Sequence, residues 1–358
     1  MDNTVKEGIN NPKVSVLMPN LNNRPFLEER IQTILDQTFT DWELIVVDNY
    51  SDDGAWELIK GFAEKEPRMR ISQAPREGMY ANWNNCIRLA RGEYIYIATS
   101  DDTMFPDCLE KTVAALDVHP ECGICHTCLK AIDENGNEIP GWWRRTIQAK
   151  FYGELLDKPH IRFAPYDGIL YCALRTVYLS ITQLLIRRSV FDEVGLFRTD
   201  WGVLGDNEWE MRAALVCNTI HIPETLATWR MHPEQGTKHI NYRESVSFYK
   251  TFTEMIQSAF KAVSPNLQEH YPECYKKMSL YRLLFIYTRQ YLALNLKKCN
   301  RLQEKISFLL RFTFFNLRFV KEYIFRRIIR RQLSPDDFTY IGEELRRLGL
   351  ENNVKVLE

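Results

Sequence analysis

Between residues 13 and 118 the chain alternates two hydrophobic patterns. Short apolar runs such as KVSVLMPNL and WELIVVDN are each followed by a segment whose apolar residues recur every three or four positions. An unbroken apolar, β-branched run predicts a strand buried on both faces, and the 3.6-residue recurrence predicts an amphipathic helix. In FLEERIQTILDQTF the recurring positions are Phe26, Leu27, Ile31, Ile34 and Leu35. The turn chemistry of SDDG leads into a second helix, AWELIKGFAEKE; MRISQAP, YANWNNCIRLA, EYIYIAT and PDCLEKTVAAL then read as strand, helix, strand and helix. This alternation defines an α/β protein with a mostly parallel sheet flanked by helices.

In such sheets ligands bind beyond the carboxyl ends of the strands, and the polar residues collect there. Pro19-Asn20, Asp48-Asn49 and Ser100-Asp101-Asp102 each close an apolar run. The first strand is not followed by Gly-x-Gly-x-x-Gly, and the chain holds no Gly-x-x-x-x-Gly-Lys-Ser/Thr loop, which argues against a dinucleotide enzyme and a P-loop nucleoside triphosphatase. Adjacent carboxylates repel unless a cation lies beside them, so Asp101-Asp102 is a candidate site for Mg²⁺ or Mn²⁺ with phosphate oxygens completing the shell. The competing reading is a helix-capping turn before Pro106.

Composition narrows the partners. The 358 residues are 45% hydrophobic and 12% aromatic, ample for a core, and a formal net charge of -1 offers no basic face for nucleic acid. MDNTVKEGINNPK lacks the basic start and apolar core of a signal peptide, and no uncharged apolar run is long enough to span a bilayer, so a cytoplasmic protein is expected. Nine cysteines fit a reducing compartment. The cluster CGICHTC, with Cys122, Cys125, Cys128 and His126, invites a metal reading; without a second thiolate set nearby, small buried thiols in a strand are favoured.

Four separated segments, VSVLMPNLNN, ILDQTFTDWELIVVDNYSDDG, GMYANWNNCIRLARGEYIYIATSDDTMFPDCL and LIRRSVFDEVGLFRTDWGVLGDNEWEMRAA, together resemble the family 2 glycosyltransferases over about residues 13 to 235. The resemblance implies a GT-A fold with a Rossmann-like nucleotide-binding sheet, a nucleotide-sugar donor, a divalent metal and an inverting transfer. It implies that Asp101, with Asp102 beside it, meets the metal and diphosphate, Thr99 standing where the motif's first acid is common. It implies that Pro19 and Asn20 hold base and ribose, that Asp48 and Asn49 read the base edge, that Arg76 and Asn84 face the diphosphate, and that Ser100 also belongs to the nucleotide-sugar site. Leu21 stands where a ring is common. Asp206, six residues before Arg212, takes the place of the catalytic carboxylate, and His232 that of a histidine reaching metal or diphosphate. Glu208, four before Arg212, reads instead as a helix ion pair.

The expected organisation is a tail at 1–12, a catalytic domain at 13–238 and a helical region at 239–358. Trp142 and Trp143 could stack on an acceptor sugar or simply pack, and acceptor recognition is expected within about 150–180. Near the end, Phe308, Phe312, Phe315, Phe319 and Tyr323 share a helical face, beside a polar stripe of Arg311, Arg318 and Glu322 and the basic run RRIIRR. That face suits either the inner leaflet of the cytoplasmic membrane, with a glycan or lipid-linked saccharide as acceptor, or packing on protein. A nucleotidyltransferase making nucleotide sugars and a non-catalytic sugar-nucleotide scaffold remain as alternatives; the former would need a Gly-rich basic loop where PNLNNRPF stands.

Overall fold

The computed structural model describes residues 11–172, 178–233, 235, 246–324 and 337–358. Among these, nine strands form one sheet: β1 (Val14–Asn20), β2 (Trp42–Asp48), β3 (Met69–Gln73), β4 (Tyr94–Ile97), β5 (Cys122–Asp133), β6 (His160–Arg162), β7 (Leu184–Arg187), β8 (Asn218–Met231) and β9 (Val354–Val356). Their order is β3-β2-β1-β4-β7-β5-β8-β6-β9. The first four are mutually parallel, and helices α1 (Arg24–Leu35), α2 (Ala55–Ala63), α3 (Met79–Leu89) and α4 (Cys108–Val118) connect and follow them.

Every residue of β1 and β2 is buried, which is why both strands read as continuous runs rather than alternations. Alternate residues serve opposite cores. Leu17, Ile45 and Ile97 pack with Tyr80, Trp83 and Cys86 of α3, whereas Val16, Met18 and Leu44 pack with Ile31 and Ile34 of α1, Ile59 of α2 and Leu109 of α4. Proline near the start of α1 supplies a pre-set φ where no backbone N–H is needed.

Beyond β4 the sheet turns mixed. β7 runs antiparallel between β4 and β5, β8 lies parallel to β5, and β6 and β9 close the far edge antiparallel. The cysteines of β5 divide between the two cores, Cys122 and Cys125 in one and Cys128 in the other. Burial pushes the Cys122 thiol up to about 12 and that of Cys128 to about 11, and His126 is engaged with His221 and Gln183. This is a strand of packed thiols; among the described residues no group of three His, Cys, Asp or Glu side chains is placed to hold a metal by itself.

The helical region does not form a separate core. Helix Val246–His270 packs along helix Gly205–Val216, and its Phe252, Met255 and Ile256 join the same buried cluster as Trp209 and Leu215. Tyr340 of helix Asp337–Leu348 stacks on Phe285 of helix Phe285–Lys298 at 4.7 Å. β9 then pairs residue for residue with β6, so a boundary at residue 239 cuts through shared packing. No helix among the described residues is long and apolar enough to cross a membrane.

Candidate active site

The carboxyl ends of β1 and β2 are knotted together by polar side chains. Asn20 Nδ2 donates to Asp48 Oδ1 at 2.8 Å and to Ser51 Oγ at 3.1 Å. The buried Asp48 carboxylate also accepts from the Ser51 N–H (2.9 Å), the Ser51 hydroxyl (2.5 Å) and Gln73 Nε2 (3.1 Å). Pro19 sits within the ladder opposite Val47. The Asn49 amide nitrogen donates to the carbonyls of Ala74 and Pro75, and Arg76 returns the tie, donating to the carbonyls of Asn49 and Tyr50 and to Asp52. Asp48, Asn49 and Arg76 therefore build the loop that shapes this end of the sheet, and the Arg76 guanidinium holds the Asp52 carboxyl below its usual range. Asn20 Oδ1 and Asn82 Oδ1 are buried without a hydrogen-bond partner among the described residues, and buried acceptors of this kind call for water or a ligand donor.

The turn after β4 separates its two acids. Asp102 points inward: Oδ2 accepts from the Thr99 hydroxyl at 2.5 Å and Oδ1 from the Arg230 N–H at 2.8 Å. Burial, with the charge of Asp101 beside it, pushes its carboxyl up to about 7. Asp102, expected as a second metal ligand, is buried and turned toward Thr99 and Arg230, with one hydrogen bond on each oxygen. Asp101 points outward, and its Oδ2 lies 3.1 Å from His232 Nε2. β8 delivers that histidine at its carboxyl end, and Phe26 of α1 flanks the ring at 4.8 Å. Ser100 Oγ accepts from Asn23 Nδ2 at 2.7 Å. Beneath the turn, the buried Arg230 side chain donates to the Asp101 carbonyl at 2.7 Å and pairs with Glu29 at 2.6 Å.

A third group of acids opens helix Gly205–Val216. Asp206, in the first turn and partly exposed, accepts at Oδ1 from the N–H and the side-chain amide of Asn207, and burial raises its carboxyl above the usual range. Glu208 is fully buried and receives Arg212 Nε at 3.0 Å and Nη2 at 2.8 Å, while the same guanidinium donates to the carbonyls of Val194 and Leu196. The expected pairing is present, but as an interior ion pair that ties down a loop rather than a surface one. Glu210 accepts from the Tyr171 hydroxyl at 2.5 Å, and burial together with Asp206 drives its carboxyl well up.

Helix α3 brackets the ends of this arrangement. Asn82 Nδ2 donates to the Val47 carbonyl at 2.8 Å, at the end of β2, while the Tyr80 hydroxyl donates to the Val203 carbonyl at 3.0 Å, just before Asp206. A Cβ added at Gly205 would meet the Tyr80 ring at 2.5 Å, so only glycine permits this approach. Asn84 exchanges two hydrogen bonds with the Phe197 backbone, at 2.8 and 3.0 Å, which engage both ends of its side-chain amide. Trp143 is buried and Trp142 rests against Trp229 at 5.1 Å, which is packing. Of the region expected to meet an acceptor, 173–177 lies outside the described residues.

Sequence reasoning missed Arg230, Tyr80, Asn82 and Glu210. Only Glu210, one helical turn after Asp206, carried a signal in its spacing.

The site thus consists of two parallel-strand ends, a turn presenting one acid to a histidine, and a partly buried carboxylate at a helix start. Residues 15–195 match the family described as Glycosyl transferase family 2, and the chain belongs to that family. It is 31% identical over 184 residues to the uncharacterized glycosyltransferase MJ1057 of Methanocaldococcus jannaschii, 51% of this chain and 63% of that protein. The chain spans between about a fifth and about two thirds of the length of curated relatives that it matches. Among solved structures, S. aureus TarS 1-349 in complex with UDP-GlcNAc shares the fold at a TM-score of 0.59 and 16% identity, over 95% of this chain and 93% of that one. The mannosyltransferase PcManGT of Pyrobaculum calidifontis, in complex with GDP-Man and Mn2+, aligns at a TM-score of 0.50 and 18% identity, over 96% and 89%.

Proposed function

We propose that this enzyme is a metal-dependent, inverting transferase that moves a sugar from a UDP-linked donor to a hydroxyl of a glycan or lipid-linked saccharide. The observation that carries the reading is the approach of Asp101 Oδ2 to His232 Nε2, 3.1 Å apart at the carboxyl ends of β4 and β8. One carboxylate and one imidazole fit a Mg²⁺ or Mn²⁺ ion that takes its remaining ligands from water and a donor diphosphate, since such ions are seldom caged by protein alone. Family membership and the Mn2+ complex of PcManGT support a divalent ion as cofactor. When bound, the ion would stabilise negative charge on the departing diphosphate.

The chain's own residues do the rest. The buried, unoccupied acceptor Asn20 Oδ1 suits a base N–H, within the loop that Asp48, Asn49 and Arg76 hold in shape. UDP as the nucleotide draws on the UDP-GlcNAc complex of TarS. Asp206 is the general base: a direct displacement at the sugar carbon requires the acceptor hydroxyl to lose its proton, and a carboxylate raised by burial is a stronger acceptor than an exposed one. Ser100 stands beside the metal turn, fixed by Asn23.

A panel of nucleotide sugars incubated with Mn²⁺ tests the proposal. Release of a nucleoside diphosphate from one donor, abolished by EDTA, is the expected result. Pyrophosphate release would mark a nucleotidyltransferase instead, and binding without release a scaffold.

A further inference from the structure

Helix Leu302–Phe315 carries apolar residues on two opposite faces. Phe308 and Phe312, with ring centroids 6.0 Å apart, face inward, and Phe312 is buried in the main core. Half a turn away, Leu302, Ile306, Leu310 and Phe314 recur every fourth residue on the outside, with exposures of 72%, 49%, 68% and 80%. Leu309 and Leu317 widen this strip into a shallow apolar groove. The face anticipated from sequence is therefore partly the buried one; the side chains of Phe315, Arg318, Phe319, Glu322 and Tyr323, and the basic run at 326–331, lie outside the described residues.

A helix with two apolar faces normally has both of them covered. Charge identifies the cover. Among the described side chains from Lys297 to Lys321 there are six Lys and Arg (Lys297, Lys298, Arg301, Lys305, Arg311 and Lys321) against one Glu, Glu304, in a chain whose net charge is only -1. Lys297, Lys298, Lys305, Arg311 and Lys321 are exposed around the strip. We propose that this face docks flat onto an anionic lipid bilayer, the apolar strip entering the headgroup boundary and the cations meeting lipid phosphates.

Length agrees with lying on the membrane rather than crossing it: 14 residues at about 1.5 Å each reach about 21 Å, short of a hydrocarbon core of about 30 Å. A second copy of the chain is the poorer occupant, since a two-fold contact would set the same cations against one another. Apolar insertion combined with attraction to anionic headgroups is the known physical basis of interfacial helices. The proposal goes beyond the sugar-transfer reading and stands whether or not a donor is found.

Co-sedimentation of the full chain with vesicles tests it, using phosphatidylcholine alone and phosphatidylcholine mixed with phosphatidylglycerol. Binding is expected only to the mixed vesicles, falling with salt. The double variant Leu310→Glu, Phe314→Glu should lower affinity by about tenfold or more, and Lys305→Glu, Arg311→Glu should lower it too, both with unchanged melting and circular dichroism. Failure of the folded wild type to bind mixed vesicles overturns the proposal. So does an oligomer that the Leu310→Glu, Phe314→Glu variant dissolves, which would assign the face to a second copy.

Discussion

Two acidic clusters, the Asp101-Asp102 turn and the start of helix Gly205–Val216, look alike in sequence and are divided in the same way by the fold. In each, one carboxylate stays partly exposed while its neighbours are turned inside. Asp101 meets His232, and Asp102 is consumed by Thr99 and Arg230. Asp206 stays partly exposed, while Glu208 holds Arg212 and Glu210 receives Tyr171. The means differ. At the turn, two successive residues point to opposite sides of a short loop; on the helix, rotation about the axis carries Glu208, two positions on, away from Asp206, whereas Glu210, one turn further along the same side, lies in the buried stretch of the helix. Charge density along the chain thus says little about which acid stays accessible, whereas the hydrogen-bond partners of each one do.

Substitutions at the paired positions should pull the clusters apart. The largest effect is expected at Asp206→Asn, which keeps shape but removes the proton acceptor: transfer should fall by ~10² to 10⁴-fold with donor affinity nearly constant, read from kcat and KM. Because burial raises this carboxyl, the active, ionised form accumulates only above its raised pKa, so the wild-type rate should climb with pH through a midpoint above the usual carboxylate range. Next, Glu208→Gln leaves the Arg212 guanidinium buried without a counter-charge, and urea unfolding should show a loss of about 3–5 kcal/mol. A loss of activity in this variant at unchanged stability would reverse the two assignments. Asp101→Asn should weaken Mn²⁺-dependent nucleotide binding about 10 to 100-fold while leaving the melting temperature of the metal-free protein unchanged, as measured by calorimetry. Smallest is Asp102→Asn, where a carboxamide can still accept from the Arg230 N–H and donate to Thr99; its cost should be about 1 kcal/mol of stability.

The parallel half of the molecule was legible because its physics is local. Each of the runs KVSVLMPNL, WELIVVDN, MRISQAP and EYIYIAT became a strand, and the helices between them fall where the apolar spacing set them. The strand-end position of Asn20, Asp48 and Asp101 followed from the same pattern. What lay hidden depends on distant pairing. Arg230 reaches Asp101 across 129 positions and Tyr80 reaches Val203 across 123, separations that no periodicity can register. Helix Gly205–Val216 is buried from Glu208 to Val216, so it lacks the polar face that would distinguish an interior ion pair from a surface one. The antiparallel insertion of β7 and the late addition of β9 likewise leave no mark on the local pattern.

The pairing of β9 with β6 also bears on how the molecule is assembled in time. Asn353, next to β9, bonds to Phe163 across 190 positions, so this margin of the sheet cannot close until the intervening helices have been made and gathered in. Loop closure over such a span is entropically costly and slow relative to the local pairing of β1 with β2. Until it happens, β6 offers an open row of backbone donors and acceptors, the kind of margin on which nascent chains join one another. β9 therefore acts as a late seal, and blocking its pairing with β6 should raise the yield of aggregates well before it alters any group in the site.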